Sequence, residues 1–276
     1  YGGEESQIGQ EQTPEEYIQN LVEVFRSVRD VLTDDGTLWV NIGDSYYNYR
    51  PGKGQALPKQ TVSKTKQDLP DKCAKRGNKL EGLKEKDLIG IPWMLAFALR
   101  ADGWYLRQDI IWHKPNPMPE SVKDRCTKSH EYIFLLSKNR KYYYNNEAIK
   151  EPVKQDWGTR DRTKGKYHNP GTGLVPHSGL SKSYDRKNKR DVWTVTNKPY
   201  KGAHFAVYPP DLIEPCIKAG SEEGDIVLDP FMGSGTTALV SKSLNRHYIG
   251  CELHEDYGRL IQKRLSEKSF ARLKLE

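Results

Sequence analysis

The chain has 276 residues, 36% hydrophobic and 29% charged, with a formal net charge of +7 and a pI near 9.0. This size and balance predict one large α/β core with a smaller insertion, and a basic surface is typical of proteins that bind nucleic acid. No apolar run approaches the length of a membrane span, so we expect no membrane partner. The four cysteines are far apart and include no C-x-x-C pair, which favours reduced thiols and no metal site.

The N-terminal third predicts a helix followed by a strand. Residues 13–16, Thr-Pro-Glu-Glu, form a capping box with proline at the first helical position, and apolar side chains follow at helical spacing. Residues 34–36, Asp-Asp-Gly, favour a turn into a strand over 37–42. Residues 50–86 carry eleven basic side chains without hydrophobic periodicity, so we expect a mobile loop there, either solvated or in contact with phosphate.

The middle of the chain combines core elements with a polar insertion. A helix is expected over 91–100, and strands are expected over 105–112 and 131–136. Residues 145–200 contain few aliphatic side chains and many glycines and charges, which indicates an insertion into the core. Eleven basic residues interleaved with aromatic ones between 150 and 190 are typical of a loop that contacts DNA phosphates.

The C-terminal quarter returns to alternating helices and strands. The expected elements are a helix over 210–219 interrupted by Pro215, a strand over 225–229, a helix over 236–246, a strand over 248–252 and an amphipathic helix over 256–268. This order is a βαβ unit with a helix on each side.

The strongest functional signal is the turn inside this βαβ unit. Gly233 and Gly235 permit positive φ and close backbone approach, and Glu252 ends the second strand, where it can accept hydrogen bonds from two ribose hydroxyls. Such a unit forms a crevice for a nucleoside-containing cofactor. A dinucleotide fingerprint is excluded because Ala238 replaces its third glycine, and a P-loop is excluded because no Gly-Lys-Ser/Thr follows.

Residues 229–237, Asp-Pro-Phe-Met-Gly-Ser-Gly-Thr-Thr, resemble the S-adenosylmethionine motif of DNA methyltransferases that act on exocyclic amino groups. Further segments are similar to parts of the same enzymes: TLWVNIGDSY at 37–46, WHKPNPMPES at 112–121, TKSHEYIF at 127–134 and KGAHFA at 201–206. Because the cofactor motif follows the catalytic-side strands, the arrangement resembles the β group, which includes N6-adenine and N4-cytosine enzymes.

The resemblance implies an α/β, Rossmann-like S-adenosylmethionine-dependent methyltransferase fold, with a mostly parallel twisted sheet flanked by helices and an inserted target-recognition region. The catalytic-side half would occupy residues 1–144, the target-recognition insertion 145–200 and the cofactor half 201–276. The implied partner is double-stranded DNA. We expect a monomer or homodimer in the cytoplasm of a bacterium or phage host, associated with the nucleoid.

The resemblance also implies roles for single residues. Asp229 would orient the turn or the methionine amino group, and Phe231 would pack on the cofactor or, alternatively, belong to the core. The other implied cofactor contacts are Pro230, Gly233, Ser234, Gly235, Thr236, Thr237, Glu252, His204 and Phe205, with a structural role as the alternative for His204. The implied DNA or target-base contacts are Lys114, Asn116, Asp44, Arg160, Arg162 and Lys164; the alternatives are a rigid surface turn for Lys114 and Asn116, and a helix cap or turn for Asp44.

One departure from the family concerns its catalytic tetrapeptide, which is Asp or Ser, then Pro-Pro, then Tyr or Phe. In the family it accepts the hydrogens of the target amine and stacks on the base. The one Pro-Pro of this chain, at 209–210, lies between Tyr208 and Asp211 and does not match. We therefore assign no catalytic residue, and we expect the tetrapeptide and two further strands in a segment ahead of Tyr1.

These features predict a site-specific DNA methyltransferase that transfers a methyl group from S-adenosylmethionine to cytosine N4 or adenine N6 of a flipped base, in a restriction-modification, phage or orphan setting. Two alternatives stay open. One is an RNA or protein methyltransferase of the same fold, and the other is a non-catalytic DNA- or cofactor-binding module. The motifs do not distinguish cytosine from adenine.

Overall fold

The computed structural model describes residues 7–48, 80–153, 185–197 and 207–266. Helices and strands alternate through this part of the chain, which gives the α/β class expected from the sequence. Most of the predicted mobile loop at 50–86 and of the insertion at 145–200 lies outside the described residues. The same is true of five predicted site residues: Arg160, Arg162, Lys164, His204 and Phe205.

Helix α1 (Pro14–Val31) begins at the predicted capping box. Thr13 Oγ1 accepts a hydrogen bond from Glu16 N at 3.1 Å, and the Glu16 carboxylate accepts one from Gln12 N at 3.1 Å. These bonds satisfy amide donors that have no partner inside the helix. The buried face of α1 follows the helical period and consists of Ile18, Leu21, Val22, Phe25 and Val28.

The central strand of the main sheet runs antiparallel to its two neighbours, which are parallel to each other. Strands β1 (Thr37–Ile42), β2 (Tyr105–His113) and β3 (His130–Ser137) lie in the order β1-β3-β2, and helix α2 (Ile91–Ala101) precedes β2. Since β3 pairs antiparallel with both neighbours, β1 and β2 run the same way. Their carboxyl ends therefore lie at one edge of the sheet.

Three short strands flank the described ends of the insertion. After a 3₁₀ turn at Glu147–Ile149, β4 (Glu151–Pro152) pairs antiparallel with β5 (Arg186–Lys187), and β6 (Val192–Thr194) joins the sheet parallel to β2. The sequence analysis predicted none of these strands, because elements of two or three residues carry no hydrophobic periodicity. Strand β6 therefore joins the described end of the insertion to the main sheet, while β4 and β5 pair only with each other.

The C-terminal part contains the predicted βαβ unit. Helix α3 (Pro210–Gly220) precedes β7 (Ile226–Asp229), α4 (Thr236–Ser243), β8 (His247–Gly250) and α5 (Glu255–Arg264), and β7 pairs parallel with β8. The elements follow one another in the order that the sequence predicted.

Three details of this region differ from the prediction. Strand β8 ends at Gly250, two residues before the predicted end at Glu252. Helix α3 continues through Pro215, because its apolar face, which includes Leu212 and Cys216, is buried and outweighs the one hydrogen bond that proline cannot donate. Helix α4 ends three residues earlier than predicted, at Ser243. Asn245 adopts a left-handed φ of 59°, and Arg246 N donates to Ser241 O at 2.8 Å, which closes the last turn.

Helices cover both faces of the main sheet. Helices α1 and α2 pack on one face, where they meet Phe134 and Leu136. Helix α3 packs on the other face, where its Leu212 meets Ile110 and Ile133. Strand β3 therefore alternates its side chains between two apolar layers, which explains why its sequence is a continuous apolar run.

The βαβ unit joins the rest of the molecule beside β1. A Cβ atom at Gly220 would lie 2.6 Å from Thr37 Oγ1, so α3 ends next to the start of β1. Leu228 of β7 packs against the α1/α2 layer, and the Phe231 ring meets the Phe25 ring edge-on at 6.4 Å. These contacts place the turn after β7 against helix α1, on the face of the main sheet that α1 and α2 cover.

Candidate active site

Asp229, at the carboxyl end of β7, organises the turn that follows. Its Oδ1 accepts a hydrogen bond from Phe231 N at 2.9 Å, and its Oδ2 accepts one from Thr237 Oγ1 at 2.5 Å. The carboxylate therefore connects the start of the turn to the first residues of α4. This arrangement agrees with the predicted orienting role of Asp229 in the turn.

The glycine turn is closed by residues from α5. Gly233 and Gly235 have φ of 51° and 79°, the left-handed values expected for this turn. Arg264 Nη1 donates to Ser234 O at 2.7 Å, to Ser234 Oγ at 2.8 Å and to Thr236 Oγ1 at 3.2 Å. The sequence analysis missed Arg264, because it lies 28 to 30 residues from its partners and outside any motif.

Glu252 follows β8 and also bonds to the turn. Its Oε2 accepts a hydrogen bond from Gly233 N at 2.8 Å, and its Oε1 accepts one from His254 N at 2.9 Å. A carboxylate has about four acceptor positions, so two remain for ribose hydroxyls. The Gly233 amide, which the sequence analysis expected to face the cofactor, is instead used to hold Glu252.

Tyr208 is a member of this network that the sequence analysis did not assign. Its hydroxyl lies 2.7 Å from Thr237 Oγ1 and 3.3 Å from Asp229 Oδ2. Burial and the nearby Asp229 carboxylate raise the pKa of Tyr208 far above its usual range, so the hydroxyl keeps its proton and acts as a donor. The residue precedes the Pro-Pro pair that starts α3, and nothing in that local sequence indicates its partners.

Replacing Tyr208 with Phe is expected to weaken binding of S-adenosylmethionine about tenfold, because the Asp229 carboxylate loses a donor that holds it in position. The same buried hydrogen bonds are lost from the folded protein, so the free energy of unfolding is expected to fall by roughly 1–2 kcal/mol. Isothermal calorimetry measures the affinity, and Tyr248→Phe on the exposed strand β8 is the control. Equal affinities for the two variants and the unmodified protein would remove Tyr208 from the site.

Asp44 caps a helix at the carboxyl edge of the main sheet. Its Oδ1 accepts hydrogen bonds from Gly90 N at 2.9 Å and Ile91 N at 3.1 Å, the first amides of α2. Lys128 Nζ donates to Asp44 O at 2.6 Å, and burial lowers the pKa of Lys128. Of the two roles predicted for Asp44, the structure shows the helix cap. The other predicted role was contact with the target base.

Lys114 and Asn116 are used within the protein. Lys114 Nζ forms an ion pair with Glu131, in which both side chains are largely buried, and lies 4.1 Å from the centre of the Trp112 ring. Asn116 Nδ2 donates to Asn197 O at 3.1 Å, and Asn197 N donates to Asn116 Oδ1 at 3.0 Å. The structure therefore gives these two residues the role of a rigid turn, with both polar groups bonded inside the protein.

A cleft of about 410 Å³ opens at the carboxyl end of β1. It lies between the start of α1 and the segment that follows β1, beside the Asp44 cap. The residues that line it are Gly9, Glu11, Gln12, Thr13, Pro14, Tyr17, Gly43, Asp44, Ser45, Ile89 and Ile91.

The structure brings the described residues of the predicted cofactor set together around one turn, and it places Asp44, Lys114 and Asn116 at the carboxyl edge of the main sheet. Within residues 7–48, 80–153, 185–197 and 207–266, no group of three His, Cys, Asp or Glu side chains could hold a metal ion. Among the helices in those ranges, none has the length and apolar character that a membrane span needs.

Comparisons with known proteins identify the family. A family model described as DNA methylase matches residues 1–263. The Type II methyltransferase M.SmaI of Serratia marcescens is 47% identical over 268 residues, which cover 95% of this chain and 78% of the relative. The fold is that of PvuII DNA methyltransferase (cytosine-N4-specific), with a TM-score of 0.60 at 16% identity over 94% of this chain and 76% of that one.

A second solved structure links the fold to the cofactor. The putative DNA modification methylase TTHA0409 of Thermus thermophilus, complexed with S-adenosyl-L-methionine, has a TM-score of 0.54 at 20% identity, covering 94% of this chain and 78% of that one. The predicted methyltransferase fold is confirmed. The chain belongs to the DNA methylase family of N6-adenine and N4-cytosine methyltransferases and is a site-specific, S-adenosylmethionine-dependent DNA amino-methyltransferase.

Proposed function

We propose that the protein binds S-adenosylmethionine at the carboxyl ends of β7 and β8 and methylates the exocyclic amine of a cytosine or adenine flipped out of duplex DNA. The observation that carries this proposal is the interlocked turn, in which Asp229 and Glu252 hold the backbone from opposite sides. It presents two carboxylates at one crevice, as recognition of a nucleoside and a methionine amino group requires.

Three side chains each bind a different part of the cofactor. The free acceptor positions of Glu252 receive the ribose hydroxyls, and Asp229 attracts the methionine amino group. The Phe231 ring is 47% exposed while its edge rests on Phe25, so one face is available to pack on the cofactor. Because the turn is already formed by internal hydrogen bonds, little ordering is needed on binding.

The chemistry of the transfer needs positioning more than acid–base catalysis. The amine nitrogen attacks the methyl carbon of the sulfonium, and the carbon–sulfur bond breaks. The electron pair of that bond stays on sulfur, so the sulfonium becomes a thioether, and the nitrogen then releases one proton. The amine is a weak nucleophile because its lone pair is delocalised into the ring, so an acceptor for its hydrogens and an in-line approach lower the barrier. We assign the acceptor to no residue of this chain.

The cleft beside β1 is our candidate for the target-base pocket. It opens at the edge that holds the carboxyl ends of β1 and β2, and Tyr17 offers an aromatic wall. A flipped base needs stacking partners and a polar rim, and the cleft combines Tyr17 with the Gly43 backbone. Helix α1 forms one wall of this cleft and also contacts Phe231 of the glycine turn through Phe25, which supports a path toward the cofactor.

Recognition of the DNA sequence falls, in this proposal, to the insertion at 145–200, with Arg160, Arg162 and Lys164 on phosphates. Glu151 supports the described base of this insertion by pairing with Arg190 at 2.7 Å and Lys187 at 3.7 Å. We propose a monomer or homodimer that works in the bacterial cytoplasm on nucleoid DNA. The Type II names of the relatives support a role as the modification enzyme of a restriction–modification pair.

The substrate class is tested by transfer of a tritiated methyl group. The protein is incubated with labelled S-adenosylmethionine and, in separate reactions, duplex DNA, RNA of the same sequence, or bacterial protein extract. Label is expected in the duplex DNA, with none above background in the other two. Label in RNA or protein alone would refute the proposal.

A further inference from the structure

We propose that Met118 is a wedge that enters the DNA base stack at the position vacated by the flipped target base. This inference rests on the proposed function and goes beyond it, since it assigns a residue to the duplex that remains after flipping. Four observations support it, and they concern exposure, rigidity, position and charge.

Met118 is the most exposed large apolar side chain among the described residues, at 83% of its full accessible area. An apolar side chain held in water is unfavourable by about 25 cal/mol per Å² of surface, so a burial partner is favoured. Methionine is unbranched and polarisable and packs well against aromatic faces. A gap between two base pairs offers such aromatic faces and would bury the Met118 side chain.

The loop that carries Met118 is held at several points. Prolines at 115, 117 and 119 restrict the backbone, and the two hydrogen bonds between Asn116 and Asn197 fix its near side. Lys114 N donates to Ser129 O at 2.7 Å, which closes the base of the loop. A side chain on such a loop loses little backbone freedom when it inserts into DNA.

The position of the loop fits a wedge. It connects the carboxyl end of β2 to the start of β3, and therefore leaves the sheet at the edge where the cleft beside β1 opens. Asn197, which clamps the loop, is the last described residue after β6, at the end of the insertion. The wedge therefore lies at the same edge of the sheet as the proposed base pocket and is bonded through Asn116 to Asn197, in the segment that we propose reads the sequence.

The charges around Met118 permit contact with DNA. Residues 114–128 carry four basic and two acidic side chains. Both acids are paired, because Arg125 binds Glu120 at 2.5 Å and Lys86 binds Asp124 at 2.6 Å. The loop therefore brings no unpaired carboxylate toward the phosphates. Lys114 and Arg125 are paired with Glu131 and Glu120, so the positive charge that favours approach to the duplex comes mainly from Lys123.

Insertion of Met118 would offset part of the loss of base stacking that flipping causes. The benefit should matter when the target base is paired and should shrink when the pair is already disrupted. Variants are therefore compared on two duplexes, one with the normal target pair and one with an abasic site opposite the target.

The test measures DNA affinity, the methylation rate and the fluorescence of 2-aminopurine at the target. For Met118→Ala, affinity and rate are expected to fall about tenfold on the paired duplex and less than twofold on the abasic one, with reduced fluorescence on the paired duplex. Met118→Leu should restore most of the loss. Val31→Ala, which alters another exposed apolar residue at the opposite edge of the sheet, is the control and should have no effect.

Equal losses on both duplexes, or no loss on either, would overturn the wedge. The experiment separates this failure from that of the proposed function. If the unmodified protein methylates DNA and the Met118 variants behave like it, the wedge alone is wrong. If the unmodified protein methylates neither duplex, the proposed function is wrong.

Discussion

Replacing Glu252 with Ala is expected to raise the Kd for S-adenosylmethionine about 100-fold while the protein stays folded. Each hydrogen bond to a charged group contributes roughly 1.5–3 kcal/mol, and a total near 3 kcal/mol corresponds to a factor of about 100. The variant loses the ribose acceptor and the support that Glu252 gives to Gly233 N. Because Glu252 is only half-buried, water can satisfy the amides left behind, so the free energy of unfolding should change by about 1 kcal/mol.

Isothermal calorimetry and thermal unfolding, measured on the same samples, separate the two effects. Glu255→Ala removes the same charge three residues later from a side chain that is 85% exposed, and it should leave the affinity unchanged. Glu252→Gln keeps the shape but places an amide group against donors, so it should resemble the alanine variant. An unchanged Kd for Glu252→Ala would refute the ribose assignment.

Replacing Gly235 with Ala is expected to destabilise the protein by roughly 2–4 kcal/mol and to abolish tight cofactor binding. Gly235 has φ of 79°, which costs an L-residue about 1–2 kcal/mol. The added Cβ would also lie 2.9 Å from Ile261 Cγ1 and 3.3 Å from Ile261 Cβ. Since these atoms are close to the backbone of α5, the helix must move away, and such overpacking costs about 1–3 kcal/mol.

Two other glycines separate the backbone effect from the clash. Gly224 has φ of 88° but no atom within 4 Å of an added Cβ, so Gly224→Ala should show the conformational cost alone. Gly258 in α5 has neither constraint, and Gly258→Ala should stabilise the protein by up to about 1 kcal/mol. Denaturant unfolding measures all three. Equal stability of the Gly235 and Gly258 variants would contradict the packing described for the turn.

The helices, the longer strands and the cofactor turn could be predicted from the sequence because they depend on local patterns. The capping box at Thr13, the apolar spacing of α1 and the glycines at 233 and 235 all act through neighbours within a few residues. Their positions were therefore predictable to within about three residues.

The sequence failed where a side chain finds its partner across the fold. Asn116 meets a backbone 81 residues away, and Tyr208 meets carboxylate and hydroxyl partners on β7 and α4. Lys114 was interpreted as a possible contact to the base because its ion-pair partner Glu131 belongs to another strand. Polar residues in a turn next to a functional edge give the same local signal whether they face a ligand or hold the turn in place.

The central claim, methylation of an exocyclic amine in DNA, is tested most directly by the identity of the modified nucleoside. Duplex DNA is methylated by the protein, digested to nucleosides and analysed by mass spectrometry. The expected product is N4-methylcytosine or N6-methyladenine, confined to one sequence context. Either product would also identify the target base. The appearance of 5-methylcytosine as the sole product would contradict the account.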